Sequence, residues 1–116
     1  MTRHNPAQSV FFNEGDLSTR ALFEGVTAGL AWGEKLMFSL VTLDPGGEVP
    51  EHAHPHEQGG VCLEGQFELI VAGQARTVRA GEMYIIPGDT PHAARALDAR
   101  CKTLDVFAPP RDDYKS

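Results

Sequence analysis

The sequence is poor in the residues that stabilise or address a chain by special chemistry. Its two cysteines, Cys62 and Cys101, have no CxxC relation, which excludes a disulfide-rich scaffold and a cysteine-built zinc or redox motif. Both are read as reduced, buried strand residues. No run of lysine or arginine occurs, and the formal net charge is -6 with a pI near 5.2. That balance argues against nucleic acid or an anionic membrane as the main partner. Seven of the ten Lys and Arg residues lie from Arg76 onward, a bias that reads as solvated surface with room for a local anion site. No apolar run approaches the length of a membrane span, and the polar residues 1–8 do not resemble a signal peptide, so a cytoplasmic protein is expected. A capped apolar period of 3.6 residues is also missing, which leaves little or no helix.

What is present is strands and turns. The length, 116 residues, suits one domain over 1–116, with 1–8 a loose arm in which His4 is incidental. Residues 9–12 are expected to form a short edge strand or to pack on a neighbouring subunit, and 13–16 a turn. Two strands are expected over 19–27 and 34–43, joined through 29–33 with Trp32. The second is apolar on both faces, as for a strand between two packed layers. A turn at 44–47 follows, then short strands near 60–63, 66–71, 74–79, 82–86, 92–96 and 101–107, punctuated by glycines. Eight to ten short strands of this kind imply a sandwich or closed barrel.

The chemistry concentrates in residues 46–65, GGEVPEHAHPHEQGGVCLEG, where His52, His54 and His56 stand at alternate positions. In an extended strand His52 and His54 share a face and offer two imidazoles to one ion. A straight strand from His52 to Gln58 would span about 20 Å, so the chain must fold back near Pro55. Spacing alone does not choose among His56, Glu57 and Gln58. Asp105 and Phe107 share one face of the last strand, with Leu104 and Val106 on the other. A carboxylate in that setting, buried without a partner, would have a raised pKa suited to proton transfer; pairing with a nearby Arg or Lys is the structural alternative. Pro109 and Pro110 limit where Arg111 can go, and its planar fork matches a carboxylate; its alternative is a surface residue beside Asp112 and Asp113.

Gly46, His52, His54, Gln58 and Gly65 fall on the first motif of the cupin superfamily, with Gln in place of Glu. Gly81, Pro87 and His92 fall on the second, with Asp89 in place of Gly and Ala96 in place of Asn. This resemblance implies an all-β cupin fold, a small double-stranded β-helix or jelly-roll barrel. It also implies one divalent transition metal (Ni, Mn, Fe or Zn) held by His52, His54, Gln58 and His92. His56 and Glu57 would then stand at the rim.

The HxHPHEQ run and residues 103–114 are similar to the KdgF type of cupin, which acts in pectin and alginate breakdown. Asp105, Phe107 and Arg111 fall on the DxFxxxR spacing of that type's active site. The resemblance implies an enzyme that opens 4,5-unsaturated uronates to linear 5-keto-4-deoxyuronates. Its partner would be a small anionic sugar acid, its oligomer a homodimer. Two other readings stay open: a dioxygenase acting on a small dicarbonyl or aromatic substrate, and a non-catalytic cupin that binds a small ligand.

Overall fold

The computed structural model describes Val10, Phe11 and residues 13–115. The expected loose arm over 1–8, with His4, lies outside these residues. Of the edge strand expected over 9–12, Ser9 and Phe12 also lie outside them, and Val10 and Phe11 are exposed and in no strand.

Ten strands follow: β1 Ser18–Phe23, β2 Val26–Trp32, β3 Met37–Leu43, β4 Glu48–His52, β5 Glu57–Glu64, β6 Gln66–Val71, β7 Gln74–Arg79, β8 Met83–Ile86, β9 His92–Ala96 and β10 Cys101–Ala108. They form two antiparallel sheets, six strands in the order β1-β2-β3-β10-β5-β8 and four in the order β4-β9-β6-β7. The only helical turns among the described residues are 3-10 segments at Glu14–Asp16 and Asp112–Tyr114. Among the described residues no helix is long and apolar enough to cross a membrane.

Alternation on each strand sends one set of side chains into the space between the sheets. Val26, Leu30, Met37, Leu43, Phe67 and Ile86 are fully buried there. Cys62 and Cys101 join them as free thiols, as expected, and burial pushes Cys101 up to about 11, so it is no ready nucleophile.

Two expectations fail in the first half. Residues 19–27 are not one strand: Glu24 and Gly25 turn the chain, with Gly25 at φ 76°, and the hairpin lets Val26, Ala28 and Leu30 all point inward. Consequently Gly29 and Trp32 lie within β2 rather than in a connection, and the true connection is closed by the Gly33 N–H donating to the Leu36 carbonyl at 3.0 Å. Nor is β3 sandwiched between layers. Its outer face belongs to two apolar rows that cross the six-stranded sheet, Ile85–Gly59–Val106–Phe38 and Met83–Val61–Leu104–Leu40. Met83 is 77% and Ile85 74% exposed.

On the inner face one row organises the site. Sheet register aligns Ser39, Asp105, Gly60 and Tyr84 on β3, β10, β5 and β8. A Cβ at Gly60 would lie 2.5 Å from Asp105 Oδ1 and overlap the Tyr84 ring. Glycine in a strand interior weakens the strand, and here it leaves the gap through which Tyr84 reaches Asp105. Gly60→Ala is therefore expected to lower stability by about 1–3 kcal/mol, the usual range for overpacking a filled core. A urea unfolding midpoint that does not move would show that the gap is not needed.

Candidate metal centre and substrate pocket

Two loops meet to build the centre. The first carries His52 at the end of β4, His54 beyond it, and a bend at Pro55 and His56 into β5. The second, residues 87–91, leads from β8 to His92, the first residue of β9 and the direct cross-strand partner of His52. The Asp89 N–H donates to the His54 carbonyl at 2.7 Å, and a Cβ at Gly88 would overlap the Pro55 carbonyl. Asp89 sits at φ 62°, a left-handed conformation that Asp tolerates better than most side chains. The residue that departs from the glycine of the motif thus keeps a glycine-like backbone.

One nitrogen from each of His52, His54 and His92 lies within 4.8 Å of the others. Each Nδ1 faces a backbone carbonyl: Pro50 at 2.9 Å, His56 at 3.1 Å and Thr90 at 2.8 Å. A carbonyl only accepts, so in each neutral ring Nδ1 carries the proton and Nε2 keeps a lone pair. Burial, then the charge of Arg111, lowers His54 to about 4, and burial lowers His92 as well, which keeps both rings neutral at pH 7.

The lone pairs have no proton to meet. His92 Nε2 is buried without a partner, and His54 Nε2 faces Gln58 Oε1 at 3.1 Å, acceptor against acceptor in this tautomer. Such a cluster is costly until a cation fills it. Three imidazole nitrogens and one amide oxygen suit a first-row divalent ion, so the residues present fit the metal. Among the three candidates left open by spacing, Gln58 puts an oxygen against the cluster. Glu57 is exposed, and His56 stands beside His54 with ring centroids 5.4 Å apart, outside the ligand group.

Asp105 lies behind the cluster and is 7% exposed. It accepts a hydrogen bond from Tyr84 Oη at 2.5 Å. Burial raises its pKa to about 6, although its polar neighbours Tyr84 and Gln58 pull the other way. The Tyr84 phenol is pushed up by burial and by the Asp105 charge, so it remains a donor. The carboxylate is thus partnered by a phenol rather than by a cation. Tyr84 escaped the sequence reading, and its one signal there was alternation with the buried Ile86 on β8.

Phe107 is buried and meets the His54 ring edge-on, with centroids 5.5 Å apart, so it is both core and pocket wall. Arg111 reaches the same pocket as His52, Gln58, His92, Asp105 and Phe107. Its side chain is only 12% exposed, lies over the Tyr114 ring at 4.1 Å and donates to Tyr114 Oη at 3.1 Å. Its Nε and Nη2 engage Asp113 at 3.4 and 3.0 Å. Burial disfavours the Asp113 charge, but these bonds outweigh it and hold the carboxyl below its ordinary value. An incoming carboxylate must therefore use the Nη1 edge or displace Asp113. A neighbouring cleft lined by Arg20 and Phe23 shares His52, Arg111 and Tyr114 with the pocket.

Comparison with known proteins agrees with this geometry. The cupin domain family matches residues 39–107. The pectin degradation protein KdgF of Dickeya dadantii is 24% identical over 106 residues, covering 90% of this chain and 96% of that protein. The structure of KdgF from a Halomonas species aligns with a TM-score of 0.84 at 30% identity, over 91% of this chain and 98% of that one. The polyketide cyclase RemF of Streptomyces resistomycificus, at 21% identity and a TM-score of 0.79 over 89% of this chain and 81% of its own, shares the fold. With both loops of its histidine centre inside the matched segment, the chain belongs to the cupin family.

Proposed function

We propose that this protein opens the ring of 4,5-unsaturated uronate monosaccharides to give linear 5-keto-4-deoxyuronates. The observation that carries the reading is the buried Asp105 carboxylate, which shares one pocket with His52, His92 and Arg111. The likeness to two KdgF proteins over nine-tenths of the chain supports the substrate class.

The reaction is an isomerisation. One proton leaves the anomeric hydroxyl as the bond between C1 and the ring oxygen breaks, and one proton arrives at C4 as the resulting enol becomes a ketone. Asp105 is suited to both halves, because a carboxyl group with pKa near 6 accepts and releases a proton close to neutrality. Tyr84 holds that carboxylate still from behind. Arg111, stacked on Tyr114 and Phe107, anchors the sugar carboxylate, and Phe107 walls the pocket so that water is kept from the enol. His52, His54, His92 and Gln58 would hold a divalent ion, which supplies Lewis-acid polarisation of substrate oxygens, undiminished by any ligand charge.

The test is the loss of ultraviolet absorbance of a lyase-generated unsaturated uronate monomer, with metal-loaded, chelated and protein-free samples in parallel. Loaded protein is expected to exceed the blank and chelated protein to match it. Asp105→Asn should lower turnover at least about 100-fold, the usual range for losing a proton-transfer group. A near-normal rate in that variant overturns the role of Asp105. No acceleration with pectin- or alginate-derived monomers overturns the substrate.

The raised pKa of Asp105 also has a stability consequence in metal-free protein. The folded chain binds this proton more tightly than the unfolded chain, so ionisation of Asp105 costs stability. The penalty is absent below about pH 4, grows as pH rises from about 4 to 6 and is constant above. Asp105→Asn should therefore be more stable than the parent above pH 6, with the advantage fading toward pH 4. Urea midpoints of both proteins across that window check the sign.

A further inference from the structure

The tail supplies the Arg111 guanidinium with a carboxylate of its own. Asp113 stands in the 3-10 turn Asp112–Tyr114 and takes Nε and Nη2 of Arg111 side-on, at 3.4 and 3.0 Å. Tyr114 Oη accepts from Nη1 at 3.1 Å. A guanidinium carries five N–H donors in one plane, so among the described residues these contacts leave one donor on Nη1 and one on Nη2.

The turn that carries Asp113 is itself fastened. Arg20 on β1 donates from Nη1 to the Asp113 carbonyl at 2.8 Å and lies 5.6 Å from the centre of the Tyr114 ring. A carboxylate so close in sequence and so held meets Arg111 at a high effective concentration.

Keeping Arg111 in place does not need this charge. The guanidinium lies 4.1 Å from the centre of the Tyr114 ring and 5.3 Å from that of Phe107, and the Tyr114 hydroxyl fixes its Nη1 end. What the Asp113 charge adds is a contest. An arriving carboxylate either takes the two remaining donors beside a like charge or pushes Asp113 into solvent, to which 60% of its side chain is already exposed. Both routes cost affinity, and a neutral ligand bears neither.

Taking Arg111 as the carboxylate anchor of the proposed function, we infer that Asp113 is a specificity-determining residue of the pocket, an internal carboxylate that competes for Arg111 and sets how strongly an anion is preferred to its neutral counterpart. Substrate and product of the proposed reaction carry the same carboxylate, so the competitor loosens both and hastens release of the product.

The test is equilibrium binding of D-galacturonate, a saturated uronate with no double bond to rearrange, and of neutral D-galactose, by NMR titration of zinc-loaded protein at low ionic strength. Asp113→Asn removes the charge and keeps the shape, and Asp113→Ala removes the contact altogether. Both variants are expected to bind galacturonate about fivefold more tightly than the parent, the factor that one partly exposed charge pair is worth at most. Galactose should show no comparable gain. In an Arg111→Gln background the substitutions at 113 should change galacturonate binding little, because the contested donors are gone.

Unchanged or weaker galacturonate binding in the two variants overturns the inference and makes Asp113 a prop for Arg111. An equal gain for galactose overturns it as well, since the contest would not be one of charge. So does a full gain in the Arg111→Gln background, which would mark repulsion at a distance rather than competition for one guanidinium. If galacturonate binds Arg111→Gln as well as it binds the parent, or binds none of the proteins, the anchoring role of Arg111 falls and the inference falls with it.

Discussion

The ring protons of His52, His54 and His92 are each held by a backbone carbonyl, and that constraint sets most of the local architecture. With Nδ1 committed, each ring has one orientation and one lone pair to offer. Three such lone pairs converge only if the two loops, each crossing from one sheet to the other, stay in contact. The Asp89 N–H on the His54 carbonyl and the missing side chain of Gly88 provide that contact, and the pairing of His52 with His92 across β4 and β9 provides the third anchor. Carbonyls that in another loop would face water here define the tautomers of a binding site.

Behind this layer the barrel breaks three local rules in one row. A carboxylate is buried at Asp105, a glycine interrupts a central strand at Gly60, and the Ser39 hydroxyl is buried without a partner. Each costs stability, and none is needed to close the sheet. Their concentration beneath the histidine cluster is what a chain shows when function rather than packing has chosen the residues. By contrast, the inner row of Val26, Leu43 and Cys101 is fully buried and apolar.

What could be read from the sequence followed from short-range rules. The shared faces of His52 with His54 and of Asp105 with Phe107 were visible because strand parity acts within a few residues, whereas Gln58 and His92 joined the set only through the cupin resemblance. Tyr84 was not visible. Its relation to Asp105 runs through two sheet registers, β8 to β5 and β5 to β10, that join positions 21 residues apart in the chain. The hold of Asp113 on Arg111 depends on how the two prolines and the last 3-10 turn lay the tail across the pocket. The hairpin at Gly25 was missed because residues 19–27 stay strand-like on both sides of a two-residue turn. For β3, apolar side chains on both faces fit a covered strand and a strand with a bare apolar face equally well, and only the assembled sheet distinguishes them.

The charges around the centre bear on which ligands it accepts. Gln58 adds no charge to the imidazole set, Asp105 stands one residue behind it, and Arg111 arrives already paired with Asp113. The Arg111–Asp113 pair is close to neutral as a unit, so it discriminates by geometry: a ligand carboxylate has to match the remaining Nη1 edge or take the place of Asp113. A neutral ligand has no such contest to win and gains nothing at Arg111. The proposed uronate substrate, whose carboxylate lies at a fixed distance from its ring oxygens, would meet that geometric demand. The same fold serves a polyketide cyclase at 21% identity, so the barrel alone does not choose a chemistry. In the proposed function that choice rests on Asp105 and Phe107 of β10, on Arg111 just beyond it and on the phenol that braces Asp105.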